Sequence, residues 1–260
     1  MTDVNPVSLE RHGNRAWNKT SNFGWARQEQ VVTVALQEAT HLMMALPLAF
    51  LKHEGQYQFL ALLGLQPGEN LWVHADGRWI APHVPGIMVH YPFRLLRDTE
   101  GRNVLGVDEE GLLPPGTTDG NPLFDEDGKP VAVLATVLEQ LAQGELERQQ
   151  ARKIAGILAE HDLLEPWELQ IQRESGMRKI EGLYRVNEKK FNELPAETLV
   201  TLRSTGALLM VYSQLLSMQH IQQLGRLAEA YAKVRQRNEQ AQAAAQNPGG
   251  EHGIISFANL

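Results

Sequence analysis

The chain has 260 residues, carries 24 Lys and Arg against 31 Asp and Glu, and contains no cysteine. The missing cysteine excludes disulfides, thiolate metal sites, iron–sulfur clusters and a cysteine nucleophile. The formal net charge of -7 argues against wholesale nucleic-acid binding, which requires a basic surface. The length predicts one or two compact domains, and a hydrophobic content of 43% is typical of globular proteins.

No targeting or membrane signal is evident in the sequence. The first twenty residues mix charged side chains with asparagine and contain no apolar run, so they do not resemble a secretory signal, and we expect a cytoplasmic protein. The longest stretch without Asp, Glu, Lys or Arg is 204–225, which is long enough to span a bilayer. Its several Ser and Gln side chains are costly in hydrocarbon, so the stretch predicts a buried core helix and no membrane span.

Short strand signals dominate the first 110 residues. Residues 1–30 are polar but contain Trp17, Phe23 and Trp25, which predicts an N-terminal arm anchored by aromatic side chains. A short helix over 36–45 should end before Pro47, because proline disfavours helical geometry in the residue before it. The remaining apolar runs predict strands, grouped in a meandering antiparallel sheet within 31–110: 48–52, 57–65, 70–74, 78–81, 91–97 and 103–107.

Helical spacing dominates the rest of the chain. Residues 111–130 are rich in Pro, Gly and Asp, which predicts an acidic, turn-rich loop before a mainly helical part over 131–240. Within that part the spacing predicts these elements: helices over 131–142 and 149–162, a small hairpin over 168–186, a helix from Pro195 to near Gly206, and the longest helix over 207–240. The sequence therefore predicts an α+β fold.

The last twenty residues have the composition of a flexible tail. Residues 241–250 are Ala and Gln followed by Pro-Gly-Gly, a linker composition. The chain then ends in an apolar octapeptide, 253–260, for which two interpretations stay open. It docks on a neighbouring subunit or partner by strand addition, or it frays in solvent.

Charge is distributed unevenly along the chain. Residues 173–237 contain 11 Lys and Arg against 6 Asp and Glu, so this stretch is basic in an acidic protein. Either the two parts dock partly through opposite charge, or the basic residues form a solvated helical face with local ion pairs.

A dense group of aromatic and polar residues between 70 and 93 is the candidate site. Four aromatic side chains there, Trp72, Trp79, Tyr91 and Phe93, form either a cross-strand ladder that fixes register or a platform for a ligand. On the second interpretation the ligand- or partner-binding residues are Asn70, Trp72, Asp76, Trp79, His83, His90 and Tyr91.

The same segment contains a spacing that iron sites use. His74 and Asp76 have the spacing of two ligands on one strand, which His83 and His90 could complete. However, Asp76 precedes Gly77 in a predicted tight turn, where its side chain already has a structural role. No nucleophile elbow, P-loop, zincin or dinucleotide-binding motif occurs. We therefore assign no catalytic residue, metal or cofactor, and lean towards a protein that is not an enzyme.

The chain resembles the SapC family of bacterial proteins over roughly residues 8–230, through several motifs that follow one another in the family's order. They are Glu38, 46–50 (LPLAF), 63–65 (LGL) with 68–71 (GENL), 76–79 (DGRW), Pro85, 91–93 (YPF), 122–125 (PLFD), Gly128, 182–188 (GLYRVNE), Gly206 and Leu208. The resemblance departs from the family pattern at three histidines. Where His74, His83 and His90 stand, the family usually has an acidic residue, a tyrosine and an arginine.

What the resemblance implies is an accessory role and no catalytic residue. The family takes its name from an operon for surface-layer protein production and export. Its members are often encoded near oxygenase-like and halogenase-like proteins and outer-membrane receptors. The first functional hypothesis is therefore a non-enzymatic cytoplasmic accessory protein that binds a polypeptide or a partner enzyme. The second is a small-ligand protein or enzyme that uses the candidate site, and a third has the helix from Ala207 as the seam of a homo-oligomer.

Overall fold

The computed structural model describes residues 4–19, 21–117, 119–173 and 176–246. The fold is α+β, as predicted, with most antiparallel strands in the N-terminal half and the long helices after residue 130. The strands are β1 (Val4–Pro6), β2 (Ala16–Trp17), β3 (Val31–Thr33), β4 (Leu48–His53), β5 (Gln56–Leu62), β6 (Phe93–Arg97), β7 (Asn103–Asp108), β8 (Asn121–Pro122), β9 (Leu164–Pro166), β10 (Leu169–Arg173), β11 (Gly176–Ile180) and β12 (Leu183–Val186). The helices are α1 (Leu9–His12), α2 (Ala39–Leu42), α3 (Gly86–Val89), α4 (Ala132–Glu160), α5 (Glu188–Asn192), α6 (Ala196–Thr205), α7 (Ala207–Ser217) and α8 (Ile221–Gln246), with 3-10 turns at Gly24–Ala26, Leu36–Glu38, Glu109–Gly111 and Met218–His220.

The main sheet has five antiparallel strands in the order β3-β5-β4-β12-β9. Its centre is the predicted hairpin of β4 and β5, in which His53 pairs with Gln56. The two residues between them, Glu54 and Gly55, both have positive φ angles, of 49° and 80°. A two-residue turn of this kind matches the twist of the strands that it joins, so local sequence is sufficient to form the hairpin.

The predicted single meander is wrong, because the strands divide between two sheets. β6 and β7 pair with β1 in a separate three-stranded sheet. β12 and β9, which come from the C-terminal half, complete the main sheet beside β4. Pairing between strands more than a hundred residues apart is decided by tertiary packing, which short-range sequence patterns do not report.

The predicted hairpin around Asp76 is present but very short. One bridge joins Val73 and Trp79, and Gly77 has a φ of 88° in the turn. Strands do not extend over 70–74 and 78–81 as predicted. One reason is that the backbone N–H of Trp72 donates to the side chain of Asn70, not to a neighbouring strand.

α4 is one helix of 29 residues where the sequence predicted two, and it connects two hydrophobic cores. Its N-terminal half buries side chains in a smaller core with Trp17, Phe93 and Leu123. Its C-terminal half packs in the main core against the five-stranded sheet and α7. The buried positions of α4 lie on one stripe, mostly three or four residues apart, with a gap of seven between Leu141 and Arg148: Leu134, Val137, Leu141, Arg148, Ala151, Ile154, Ala155 and Leu158.

Helix α6 ends at Gly206, as predicted, and the chain turns there. Gly206 has a φ of 84°, and α6 meets the helical segment from Ala207 to Gln242 at 91°. The prediction of one longest helix over 207–240 is wrong, because a 3-10 turn separates α7 from α8, and α4 is longer than either. α7 packs against α4, β4 and β12, whereas every residue of α8 from 232 to 242 is exposed.

The segments that flank the sheets are partly integrated into them. Residues 4–19 contribute β1 to the second sheet and β2, which pairs with β8 of the turn-rich loop. The predicted small hairpin is formed by β10 and β11, but β12 leaves it after Gly182, whose φ is 86°. The apolar octapeptide 253–260 lies outside the described residues. The division into arm, β-rich part, loop, helical part and tail therefore stays a prediction.

Candidate functional site

Two of the seven predicted site residues have structural roles inside the fold. Asn70 is buried, and its amide donates to the carbonyl of Ala26 over 2.9 Å while its oxygen accepts from the N–H of Trp72. Trp72 is almost completely buried, and its indole N–H donates to the carbonyl of Leu62 over 3.3 Å. Asn70 also borders a surface pocket that Tyr231 and Arg235 of α8 line from the other side.

Asp76 and His74 lie in the exposed turn of the short hairpin. Asp76 forms an ion pair with Arg78 over 2.7 Å and lies 3.0 Å from His74. Hydrogen bonds from the backbone and side chain of Arg78 hold the pKa of Asp76 well below its usual value. These contacts satisfy the carboxylate within its own turn, which is the structural role expected of an Asp-Gly turn.

Trp79 and His83 lie near each other but do not contact Trp72 or Tyr91 through their rings. The indole N–H of Trp79 donates to the carbonyl of His83 over 2.9 Å, and its ring packs on Phe23. The ring of His83 meets the ring of His41 edge to face. The two ring contacts join the loop before α3 to Phe23 and to His41.

Tyr91 stacks on a residue of the N-terminal segment. Its ring is parallel to that of Trp25, with centroids 4.2 Å apart, and Trp25 in turn lies under the guanidinium of Arg94. Burial, with the charges of Asp108 and Glu110, raises the pKa of Tyr91 to about 12, so it is a neutral phenol at physiological pH. The predicted aromatic group is therefore not a ladder among its own members, since Trp79, Tyr91 and Phe93 each contact a ring of residues 17–25.

His90 borders a different cavity, of about 420 Å³, where α4 passes the loop that contains α3. We name it the crossing pocket. Its lining consists of Ala35, Glu38, Gly86, His90, Glu139, Gln140, Leu141, Gln143, Gly144, Glu147 and Arg148. A cavity of this size matches sites for small molecules. The seven predicted residues are thus dispersed, and His90 is the one that reaches this pocket.

Glu38 ties two walls of the crossing pocket together. Its carboxylate accepts from the backbone N–H of Ala35 over 2.8 Å and from that of Gly86, at the start of α3, over 2.7 Å. Burial raises the pKa of Glu38 even though these two hydrogen bonds and the charge of Arg148 act to lower it. Both carboxylate oxygens are therefore committed to the backbone, and the side chain positions the loop.

Arg148 is a buried cation in the wall that α4 contributes. Its side chain is 8% exposed, and its Nε donates to Glu145 over 3.2 Å. Glu145 also accepts from Arg152 over 2.7 Å. Burial acts to raise the pKa of Glu145, but the hydrogen bonds from Arg152 and Gln149 outweigh it and keep that pKa below its usual value. Among the described residues, no hydrogen bond involves Nη1 or Nη2 of Arg148.

Arg148 was missed by the sequence analysis although a signal for it exists. Gly144 and Arg148 fall at spacings of three and four along the apolar stripe of α4. Neither has an apolar side chain, so the apolar pattern is interrupted there. That interruption led to the prediction of two helices. An arginine in phase with a buried stripe, with a glycine one turn before it, indicates a buried charge beside a space.

A second feature lies on α7, which buries three polar side chains beside the apolar Ala207, Met210 and Val211. Ser213, Gln214 and Ser217 are completely buried. By contrast, three apolar side chains of the same helix are exposed: Leu209 by 38%, Tyr212 by 52% and Leu216 by 56%. We name these three residues the outer face of α7. They are spaced by three and four positions, so they form one row.

Two of the three buried polar side chains of α7, those of Gln214 and Ser217, bind the backbone of the main sheet, whereas the hydroxyl of Ser213 has no hydrogen-bond partner among the described residues. Gln214 accepts from the N–H of Val186 over 2.9 Å and donates to the carbonyl of Leu48 over 3.2 Å. The hydroxyl of Ser217 accepts from the N–H of Leu48 over 2.9 Å. These bonds satisfy groups at the ends of β4 and β12 that the sheet leaves unpaired, which is why these two polar side chains face inwards.

The comparison with family models decides the classification. The model of the SapC family matches residues 7–224 of the chain. The chain belongs to the SapC family. Neither a comparison with curated proteins nor one with solved structures finds a match.

Several motifs that carry the SapC resemblance have clear positions in the fold. Glu38 holds the loop of the crossing pocket, and Gly206 forms the turn between α6 and α7. Tyr91 begins the Tyr-Pro-Phe motif and stacks on Trp25. The motifs of this SapC protein thus include residues that join separate parts of the chain.

The described part of this SapC protein offers neither a metal-ligand cluster nor a single helix of membrane-spanning character. No group of three or more His, Asp or Glu residues there is arranged to hold a metal ion. No single described helix is long and apolar enough to cross a membrane. By length and composition alone, α6 and the helical segment after it would be sufficient together, but the two are bent by 91°.

Proposed function

We propose that this SapC protein is a cytoplasmic accessory protein, without catalytic activity of its own, that binds a polypeptide or a partner enzyme. The pathway that we propose is surface-protein production, modification or export, on the basis of the family resemblance. The observation that carries the proposal is the outer face of α7. A row of exposed apolar side chains along one helix is typical of an interaction surface.

The surroundings of the outer face indicate which polypeptide would bind. The ring of Phe191 meets that of Tyr212 edge to face, with centroids 5.7 Å apart, which places α5 beside the outer face. α5 carries the exposed Lys189 and Lys190 after the exposed Glu188, and the exposed Arg203 lies in the last turn of α6. Apolar side chains flanked by cations favour a polypeptide segment with apolar residues next to acidic ones.

A triple substitution tests the proposal in the full-length chain. Leu209→Ser, Tyr212→Ser and Leu216→Ser together remove the apolar row but leave Gln214 and Ser217 in place. A matched control, Val133→Ser with Leu146→Ser, changes exposed apolar residues of α4. We expect quantitative mass spectrometry of tagged protein from its native host to show a polypeptide that is retained by the wild type and the control. The triple variant should lose it by at least about tenfold, and cross-links should map the contact to α7.

Two outcomes would contradict the proposal. In the first, the triple variant and the wild type retain the same polypeptides in equal amounts. In the second, light scattering shows a dimer that the triple substitution dissociates, which would make a second copy of the chain the occupant of the outer face. Retention of both melting temperature and circular dichroism in the triple variant is required before either result is interpreted.

A further inference from the structure

We propose that the crossing pocket binds a small zwitterionic carboxylate of the α-amino-acid class, with the ligand carboxylate on the Nη1–Nη2 edge of Arg148. This inference concerns a surface other than the outer face of α7 and does not depend on it. It begins from the state of Arg148, which is a buried charge with one ion pair.

The guanidinium of Arg148 is only partly compensated. A guanidinium has five N–H donors, and the one hydrogen bond to a described residue uses Nε. Glu145, the acceptor, is shared with Arg152 and Gln149. Nη1 and Nη2 are not among the polar atoms of the described residues that are buried without a partner, so both reach solvent at the wall of the crossing pocket, where an acceptor from outside the chain can bind them.

The sequence leaves space for that acceptor. A Cβ at Gly144 would lie 3.2 Å from Nη1 of Arg148, so any larger residue one turn before Arg148 would crowd this edge of the guanidinium. Gly144 and Arg148 both line the crossing pocket. A carboxylate is the planar group whose two oxygens match the guanidinium fork, and such bidentate pairs are among the stronger hydrogen bonds in proteins.

The rest of the pocket selects against a simple anion. Glu139 and Glu147 line it beside Arg148, and the charge of Glu147 reaches far enough into it to act on the pKa of Glu38. His90 adds no positive charge at neutral pH, because burial and the nearby Lys19 lower its pKa. A ligand that brings an ammonium group with its carboxylate pairs with both signs of charge in the pocket, whereas phosphate or acetate would be repelled by the carboxylates.

The cavity volume also agrees with a ligand of this class. About 420 Å³ accommodates a free amino acid but not a folded polypeptide. Leu141 and the methyl group of Ala35 supply an apolar part of the lining, and Gln140 and Gln143 supply side-chain amides. The pocket therefore offers a partner for each end of an amino acid and some apolar surface for its side chain.

The experiment is a ligand titration of the full-length protein. The probes are the free L-amino acids, with acetate and inorganic phosphate as simple anions, and binding is followed by ligand-detected NMR and calorimetry. We expect saturable binding of at least one amino acid, and weaker binding of acetate and phosphate. Arg148→Met keeps the aliphatic packing and leaves Glu145 paired with Arg152, and it should weaken binding by about tenfold or more.

Two further variants test the inference even if Arg148→Met fails to fold. Arg152→Met removes the other cation that contacts Glu145, outside the crossing pocket, and should leave amino-acid binding within about threefold of the wild type. Glu147→Gln should weaken amino-acid binding by about threefold but leave acetate binding unchanged or stronger.

The inference is overturned if no amino acid binds, or if folded Arg148→Met binds amino acids as tightly as the wild type does. Equal affinity for acetate, phosphate and amino acids would also overturn it, because that result would describe a general anion site.

Discussion

Trp25 and Tyr91 lie face to face, with ring centroids 4.2 Å apart and planes inclined by 6°. The stack joins a 3-10 turn of the N-terminal segment to the residue that precedes the cis Pro92. Arg94 lies 5.1 Å from the Trp25 ring and extends the contact to β6. Three parts of the chain that are distant in sequence therefore meet at one aromatic pair.

A double-mutant cycle should detect this stack as a coupling energy. We expect Trp25→Leu and Tyr91→Leu each to lower the free energy of unfolding, and the double variant to lower it by about 0.5–1.5 kcal/mol less than the sum. The measurement is urea unfolding of the four proteins. As a control, Trp25→Leu combined with Tyr184→Leu should be additive, because Tyr184 packs on Tyr57 elsewhere. Full additivity of the Trp25 and Tyr91 pair would show that the stack contributes no coupling.

Gln214 should be among the most sensitive positions in the helical part. Gln214→Leu leaves the N–H of Val186 and the carbonyl of Leu48 without their partners, which predicts a loss of about 2–4 kcal/mol in the free energy of unfolding. Gln219→Leu makes the same change at an exposed position one turn later and should alter stability by less than about 0.5 kcal/mol. Equal effects in chemical denaturation would show that burial of Gln214 does not matter.

The same substitution at two glycines should change stability in opposite directions. Gly206→Ala introduces a Cβ at a φ of 84° and within 3.3 Å of Leu36, so we expect a loss of about 1–2 kcal/mol. Gly225→Ala lies inside α8 with no atom within 4 Å of the new Cβ, and alanine should stabilise the helix by about 0.5–1 kcal/mol. Thermal and urea unfolding give the two signs. A stabilised Gly206→Ala protein would mean that the turn after α6 does not require the left-handed conformation.

His90 should make the protein less stable as the solution becomes acidic. Burial, followed by the charge of Lys19, lowers its pKa in the folded state, so the unfolded state binds the proton more readily. Stability is therefore lost as the pH falls through the unfolded value of about 6.5. We expect His90→Gln to lose less stability than the wild type between about pH 7.5 and about pH 5.5, measured by urea unfolding at both values. An identical loss in the two proteins would argue against a lowered pKa.

Parts of the fold that depend on local chemistry were predicted correctly from the sequence. The hairpin of β4 and β5 follows from two apolar runs around Glu54 and Gly55. The end of α6 follows from Gly206, because glycine adopts positive φ at low cost. Each of these features is decided within about ten residues, by side chains that belong to the turn or the helix end itself.

The positions of the candidate sites could not be predicted in the same way. The sequence placed seven binding residues between Asn70 and Tyr91 because they are close along the chain, and the structure separates them. The crossing pocket combines Glu38, Gly86 and Arg148, which belong to three elements far apart in sequence. Only the passage of α4 beside the loop of α3 brings them to one cavity.

The sequence by itself determined the α+β class, the main turns and helix ends, and the family of this protein. Tertiary structure decided which strands share a sheet, why α7 turns Gln214 inwards and exposes Tyr212, and where Arg148 is buried. The physical reason is that turns and helix caps are satisfied by neighbouring residues. Burial and the pairing of backbone polar groups instead depend on partners that the chain brings together only when it folds.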